Sequence, residues 1–171
     1  MLLLKPLITP DICAECRFCC SFRRCSLWET PVLEPELLEK LKTAYPDAKF
    51  KKVEYNGHEA VTVDLDGRYN TDDSEEEALC WLNDGKGCPL GDDKPFDCAI
   101  WPLRVMKKDN AMVLAYCAEC TALKEKDPEV IKKFVEQNGL DKKLIDYAKK
   151  YPAYIRDFHE NYMVIKVLEG D

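Results

Sequence analysis

Cys13-Ala14-Glu15-Cys16-Arg17-Phe18-Cys19-Cys20, with Cys25 close behind, is the stretch around which the chain is organised. Two successive C-x-x-C spacings closed by a vicinal pair carry more thiol than packing needs. In a loop, C-x-x-C lets two sulfurs converge on one centre, while the intervening amides point at them and favour thiolate. A third cysteine at the same interval extends that convergence. Cys20 differs, because side chains of neighbouring residues tend to diverge, and the expectation is that Cys19 and Cys20 serve two centres, or one centre and its surroundings.

The whole chain has 171 residues, 46% of them hydrophobic, which suits one domain with a true core. We expect a metal-bearing part over 1–120 and a helical C-terminal part over 121–171. The net charge of −7 argues against a nucleic-acid binder that works through phosphate contacts. Ionising ten cysteines would make the chain more negative still, and bound metal would relieve that charge. No apolar run approaches the roughly 20 residues of a membrane span. The start, Met1-Leu2-Leu3-Leu4-Lys5-Pro6, is too short for a signal peptide, so the expected location is a reducing cytoplasm. There, cysteines serve as ligands or redox groups rather than disulfides.

Following the chain, Leu37, Leu38, Leu41 and Tyr45 recur at helical spacing between Pro35 and Pro46. From Phe50 the period becomes two, and Val53, Tyr55, Val61, Val63 and Leu65 alternate around Asn56-Gly57, a hairpin signal. The acidic run Asp72–Glu77 reads as a solvated loop. Ala78–Leu82 reads as a short strand, Asn83–Gly87 as its turn, and Cys88-Pro89-Leu90-Gly91 as the return toward Cys98. A second hairpin joins Leu103–Met106 to Ala111–Tyr116 and ends in Cys117-Ala118-Glu119-Cys120. Asp127-Pro128 opens a helix that Asn138-Gly139 closes. Asp141 is a candidate cap for the next helix, His159 is expected on a late helix after Pro152, and Met163–Leu168 is apolar enough for a strand. The fold expected is α+β: a small antiparallel sheet with cysteine-rich metal-binding loops and C-terminal helices.

The cysteine register resembles that of the YkgJ-like cysteine-cluster family, a zinc- or iron-chelating domain with C-x-x-C-x-x-C-C near its N-terminus. That hallmark stands here as Cys13, Cys16, Cys19 and Cys20. The family's downstream cysteine corresponds to Cys80. Its block Cys-x-aliphatic-aromatic-x-x-Arg-Pro-x-x-Cys-Arg-x-aromatic-Pro corresponds to Cys88, Leu90, Lys94, Pro95, Cys98, Trp101 and Pro102. A later family cysteine falls at Cys117 or Cys120. Gly91, Lys94 and Ala99 depart from the family's aromatic and its two arginines. The resemblance spans about Asp11 to Cys120 and implies metal chelation; it also brings in flagellin lysine N-methylase as a relative, and with it a cluster-dependent enzyme as one reading.

For the metal, the chain has only two histidines, His58 and His159, both remote in sequence from the thiols. An essentially all-thiolate set points to an iron–sulfur cluster, with structural zinc as the alternative. Cys13-x-x-Cys16-x-x-Cys19 has the spacing that opens a bacterial ferredoxin [4Fe–4S] site, and Cys88-Pro89 supplies a cysteine–proline step. The expected ligands are Cys13, Cys16, Cys19, Cys20, Cys80, Cys88, Cys98 and Cys117. One group takes Cys13, Cys16, Cys19 and a distant thiol, and the rest supply the remainder. Cys25 lies beside Arg24, whose charge could lower its pKa, although a bystander thiol is the safer reading. Three function classes follow: a cluster protein in redox or metal handling or as an enzyme accessory, a zinc-held interaction module with a protein partner, and an enzyme. No glycine-rich methyltransferase loop and no C-x-x-x-C-x-x-C signature supports the last.

Overall fold

The computed structural model describes residues 4, 7–9, 12, 16, 18–83 and 88–168. In chain order the elements are β1 (Ser21–Arg23), α1 (Pro35–Ala44), β2 (Phe50–Tyr55), β3 (His58–Val63), β4 (Glu77–Leu79), α2 (Phe96–Ile100), β5 (Leu103–Lys108), β6 (Ala111–Cys117), α3 (Pro128–Gln137), α4 (Leu140–Lys150), β7 (Arg156–Asp157) and β8 (Tyr162–Leu168). The architecture is mixed α+β.

A four-stranded sheet ordered β7-β5-β6-β8 forms the centre, antiparallel except where β7 runs parallel to β5. Alternation along β5 and β6 divides its faces. Leu103, Val105, Leu114 and Tyr116 join Ile131, Val135, Leu140 and Leu144 from α3 and α4 in the main core. Met106, Val113, Ala115, Cys117 and Tyr162 form a second cluster, against which Phe18, Trp28 and Trp101 rest. One face of the sheet is therefore covered by helices and the other by the segments flanking the cysteine-rich stretch. A third cluster gathers Leu38 and Leu41 of α1, Val63 of β3, and Phe22 and Ala78 from the β1–β4 ladder.

Local chemistry explains most boundaries. Pro35 takes the first turn of α1, and the helix ends at Tyr45 just before Pro46. In the β2–β3 hairpin, Asn56 and Gly57 take φ of 53° and 77°, the left-handed pair that a two-residue turn demands. Asp127 caps α3, its carboxylate accepting from the Glu129 amide at 2.9 Å.

Three expectations are corrected. Gly139, in the left-handed region, stands at the cap of α4, and Asp141 lies inside that helix accepting from Lys166 Nζ at 2.8 Å. The segment after Pro152 is a single 3-10 turn followed by β7, so His159 sits between strands rather than on a helix. The strand expected over Ala78–Leu82 is β4 over Glu77–Leu79 alone, with Cys80, Trp81 and Leu82 beyond its end, and it pairs with β1 across a separation of more than fifty residues. Of the turn expected over Asn83–Gly87, residues 84–87 lie outside the described residues. The last third also contributes β7 and β8 to the central sheet besides its two helices.

Candidate metal centre

A 3-10 turn over Phe18–Cys20 delivers the vicinal cysteines to the start of β1. The β1–β4 register pairs Ser21 with Leu79, Phe22 with Ala78 and Arg23 with Glu77. Extended by one step, it sets Cys20 opposite Cys80, whose amide donates to the Cys20 carbonyl at 2.8 Å. A turn closed by Asn83 N to Cys80 O at 3.0 Å then folds the chain back, and the Asn83 side chain reaches the Cys20 sulfur. The Cys19 and Cys20 sulfurs lie 4.0 Å apart. They converge, contrary to the expectation that they diverge. Their spacing is close to the ~3.8 Å between two thiolates on one tetrahedral ion with bonds of about 2.3 Å.

Cys98 enters from α2. On a helix, successive residues point about 100° apart, so Asp97 and Cys98 face different surroundings. Asp97 is 2% exposed and accepts from the Val32 amide at 3.0 Å. It also forms an ion pair with Arg104 at 3.2 Å and lies 4.0 Å from Arg156. Arg156 is held further by the carbonyls of Trp28, Ala153 and Thr30 and stacks 3.6 Å from the Tyr55 ring centre. Burial opposes the Arg104 charge, yet Asp97 holds the guanidinium above its ordinary value. Arg156 is brought down to about 10 by burial and by the Arg104 charge. This interior anchor fixes α2 and hence where Cys98 is presented.

Four thiols share one electrostatic neighbourhood. The charges of Cys20 and Cys88 both act on Cys80, and those of Cys20, Cys80 and Cys88 all act on Cys98. A hydrogen bond from Cys19 pulls Cys20 down to about 6 against its burial, with Asn83 and the Lys94 ammonium reinforcing it. Burial pushes Cys80 up to about 12 and Cys98 well above the usual thiol range. One thiolate is thus favoured near neutrality, and Cys80 and Cys98 need a cation to ionise beside it.

The remaining thiols lie elsewhere. Cys16 Sγ is 3.1 Å from Thr121 Oγ1, next to the turn in which Cys120 N donates to Cys117 O. Cys117 and Cys120 are buried, and burial pushes Cys117 up to about 12, helped by Glu29, Glu119 and Cys120. Cys117, which the sequence groups with Cys20, Cys80, Cys88 and Cys98, feels the charge of Cys120. Cys13 lies outside the described residues. Cys25 is exposed and donates to Glu75 Oε1 at 3.3 Å. That bond and the Glu75 charge raise its pKa, so the neighbouring arginines do not activate it. Among the described residues, none of the nine cysteines is in a disulfide.

The donors gathered here are thiols, the ligand type of iron–sulfur and structural zinc sites. Among the described residues, however, no three or more His, Cys, Asp and Glu side chains are gathered as a group that could hold an ion.

Sequence reasoning missed Glu29, and His159 is exposed, as expected of an ordinary surface residue. Both line a cavity with Cys19, Trp28 and Trp101, and His159 stacks on Trp28 at 5.2 Å between ring centres. The aromatic residues just after the cysteine-rich stretch were the one available signal. Among the described residues, no helix is long and apolar enough to cross a membrane. Compared with known proteins, the chain matches no family model, no curated protein and no solved structure.

Proposed function

We propose that the chain is a metal-binding protein whose cysteine thiolates carry an iron–sulfur cluster, serving redox or metal handling or acting as an enzyme accessory in a reducing cytoplasm. The observation that carries this reading is the shared neighbourhood of Cys20, Cys80, Cys88 and Cys98, three of them delivered by separate segments. Cys19 and Cys16 are the next candidates, and the cysteine register held in common with YkgJ-like proteins supports the same chemistry.

The chain's own groups perform four tasks in this proposal. Cys20, with its lowered pKa, offers the first thiolate. Lys94 offsets negative charge, and Asn83 gives the sulfur a hydrogen bond. The Asp97–Arg104–Arg156 anchor holds α2, which carries Cys98. When bound, the cluster supplies one-electron chemistry or a structural tie between distant loops. Loops that meet only at such a centre gain their order from it.

Structural zinc is the second reading, favoured because four thiols without a histidine also make a closed tetrahedral site. Such a protein would be an interaction module with a protein partner. Anaerobic purification with iron, acid-labile sulfide and zinc measured on one sample separates the readings. Comparable iron and sulfide support the cluster. Stoichiometric zinc without sulfide transfers the conclusion to the module. A chain that retains neither metal and takes up neither on reconstitution overturns both.

A further inference from the structure

Beside the thiols, on the sheet face that the helices leave uncovered, lies a cavity of about 190 Å³. It has room for about six waters at ~30 Å³ each, well below the ~300 Å³ at which drug-sized sites begin. Its walls include the rings of Phe18, Trp28 and Trp101 and the carboxylates of Glu29, Glu77 and Glu119. Among the described residues, Arg23 is the one arginine on the lining, and Glu75 engages it at 3.1 Å. The cavity therefore offers π surface and acidic side chains together.

We propose that this cavity binds a small organic cation of the alkylammonium class, with Glu29 as its counter-charge and Trp28 and Trp101 as its aromatic walls. Ammonium groups are attracted to the negative faces of indole rings, and more strongly where water is excluded. Glu29 is suited to the role by position. It ends the 3-10 turn that also carries Trp28, its carboxyl is hydrogen-bonded by the Asn161 side chain, and Arg104 lies behind it inside the protein. Burial raises the Glu29 carboxyl above its ordinary range, and a cation in the cavity favours its ionised form. A neutral guest of the same shape would gain only the apolar contacts, and an anion would meet three carboxylates. The inference concerns the cavity and is independent of which metal, if any, the thiols hold.

The test uses the full chain as purified anaerobically, with binding followed by tryptophan fluorescence and by calorimetry. Choline is the probe, and 3,3-dimethyl-1-butanol, which has the same shape without the charge, is its control. The expected result is choline binding at least tenfold tighter than the alcohol. Glu29→Gln should weaken choline at least tenfold and leave the alcohol unchanged. Trp28→Leu should weaken both. A second arm substitutes N-acetyl-lysine methylamide for choline; the tighter of the two assigns the source as a peptide side chain or a free small cation. Equal affinity for choline and the alcohol overturns the proposal, as does the absence of choline binding. Should Glu29→Gln fail to fold, the wild-type comparison decides alone.

Discussion

Cys20 and Cys80 stand opposite one another at the end of the β1–β4 ladder, joined by the Cys80 amide donating to the Cys20 carbonyl at 2.8 Å. Sixty residues of chain separate them, so their approach closes a long loop. Such closure costs free energy that three-residue strands offset only weakly. A shared centre at this point would supply the missing stabilisation. Cys80→Ser and Cys98→Ser are each expected to lower the bound metal and the melting temperature together. Metal content by elemental analysis and thermal unfolding on the same samples check this. A variant with full metal content and unchanged melting removes that residue from the ligand set.

Asp97 forms ion pairs with two buried guanidiniums, and neither Arg104 nor Arg156 is more than 2% exposed. Removing it takes away the carboxylate that both guanidiniums share in the interior, and breaking such a buried pair typically costs about 3–5 kcal/mol. Asp97→Asn is expected to destabilise the chain by that order in urea unfolding. It should also loosen α2 and with it the presentation of Cys98. A loss below about 1 kcal/mol would show that Arg104 finds its main stabilisation elsewhere.

Short-range chemistry made much of the fold legible. Pro35, Asn56-Gly57 and Asp127-Pro128 act within a turn of their own position, and each boundary they predict is present. Pairing partners were not legible, because nothing local tells Glu77–Leu79 to choose Ser21–Arg23 over the nearby loop. The same limit applied to the site. The register named the thiols, but only the β1–β4 ladder and the Asp97 anchor bring Cys20, Cys80 and Cys98 into one neighbourhood. Asp141 misled because an acid at a helix start suits both a cap and an ion pair, and Lys166 on distant β8 claimed it. Glu29 carried no spacing signal at all.

Glu76 organises the acidic loop in front of β4. Its carboxylate accepts from the amides of Asn70 and Thr71 at 2.6 and 2.7 Å, and from both of their side chains. Those bonds hold its pKa down to about 2 from an ordinary value of 4.5. Because the folded value is depressed, the stability it contributes is fully present above pH 4.5 and is lost as pH falls toward 2. The Asn70 and Thr71 amide resonances are expected to titrate near pH 2, and Glu76→Gln should abolish that titration. A midpoint at the ordinary glutamate value would mean that these hydrogen bonds do not form in solution.

Metal removal should act unevenly on the molecule. The central sheet buries Leu103, Val105, Val113 and Leu114 with 2% exposure or less, and its order needs no thiolate. The β1–β4 ladder has three residue pairs, and its end lies beside the proposed ligands. Local opening follows local stability, so the ladder should be the first part to open once the centre is gone. After anaerobic chelation, the Cys80 amide is expected to exchange with deuterium at least tenfold faster, while the Val113 and Leu114 amides stay protected. Uniform acceleration across both regions would mean that metal holds the entire fold. Unchanged exchange at Cys80 would mean that the ladder stands without a centre, and would count against the thiolate assignment itself.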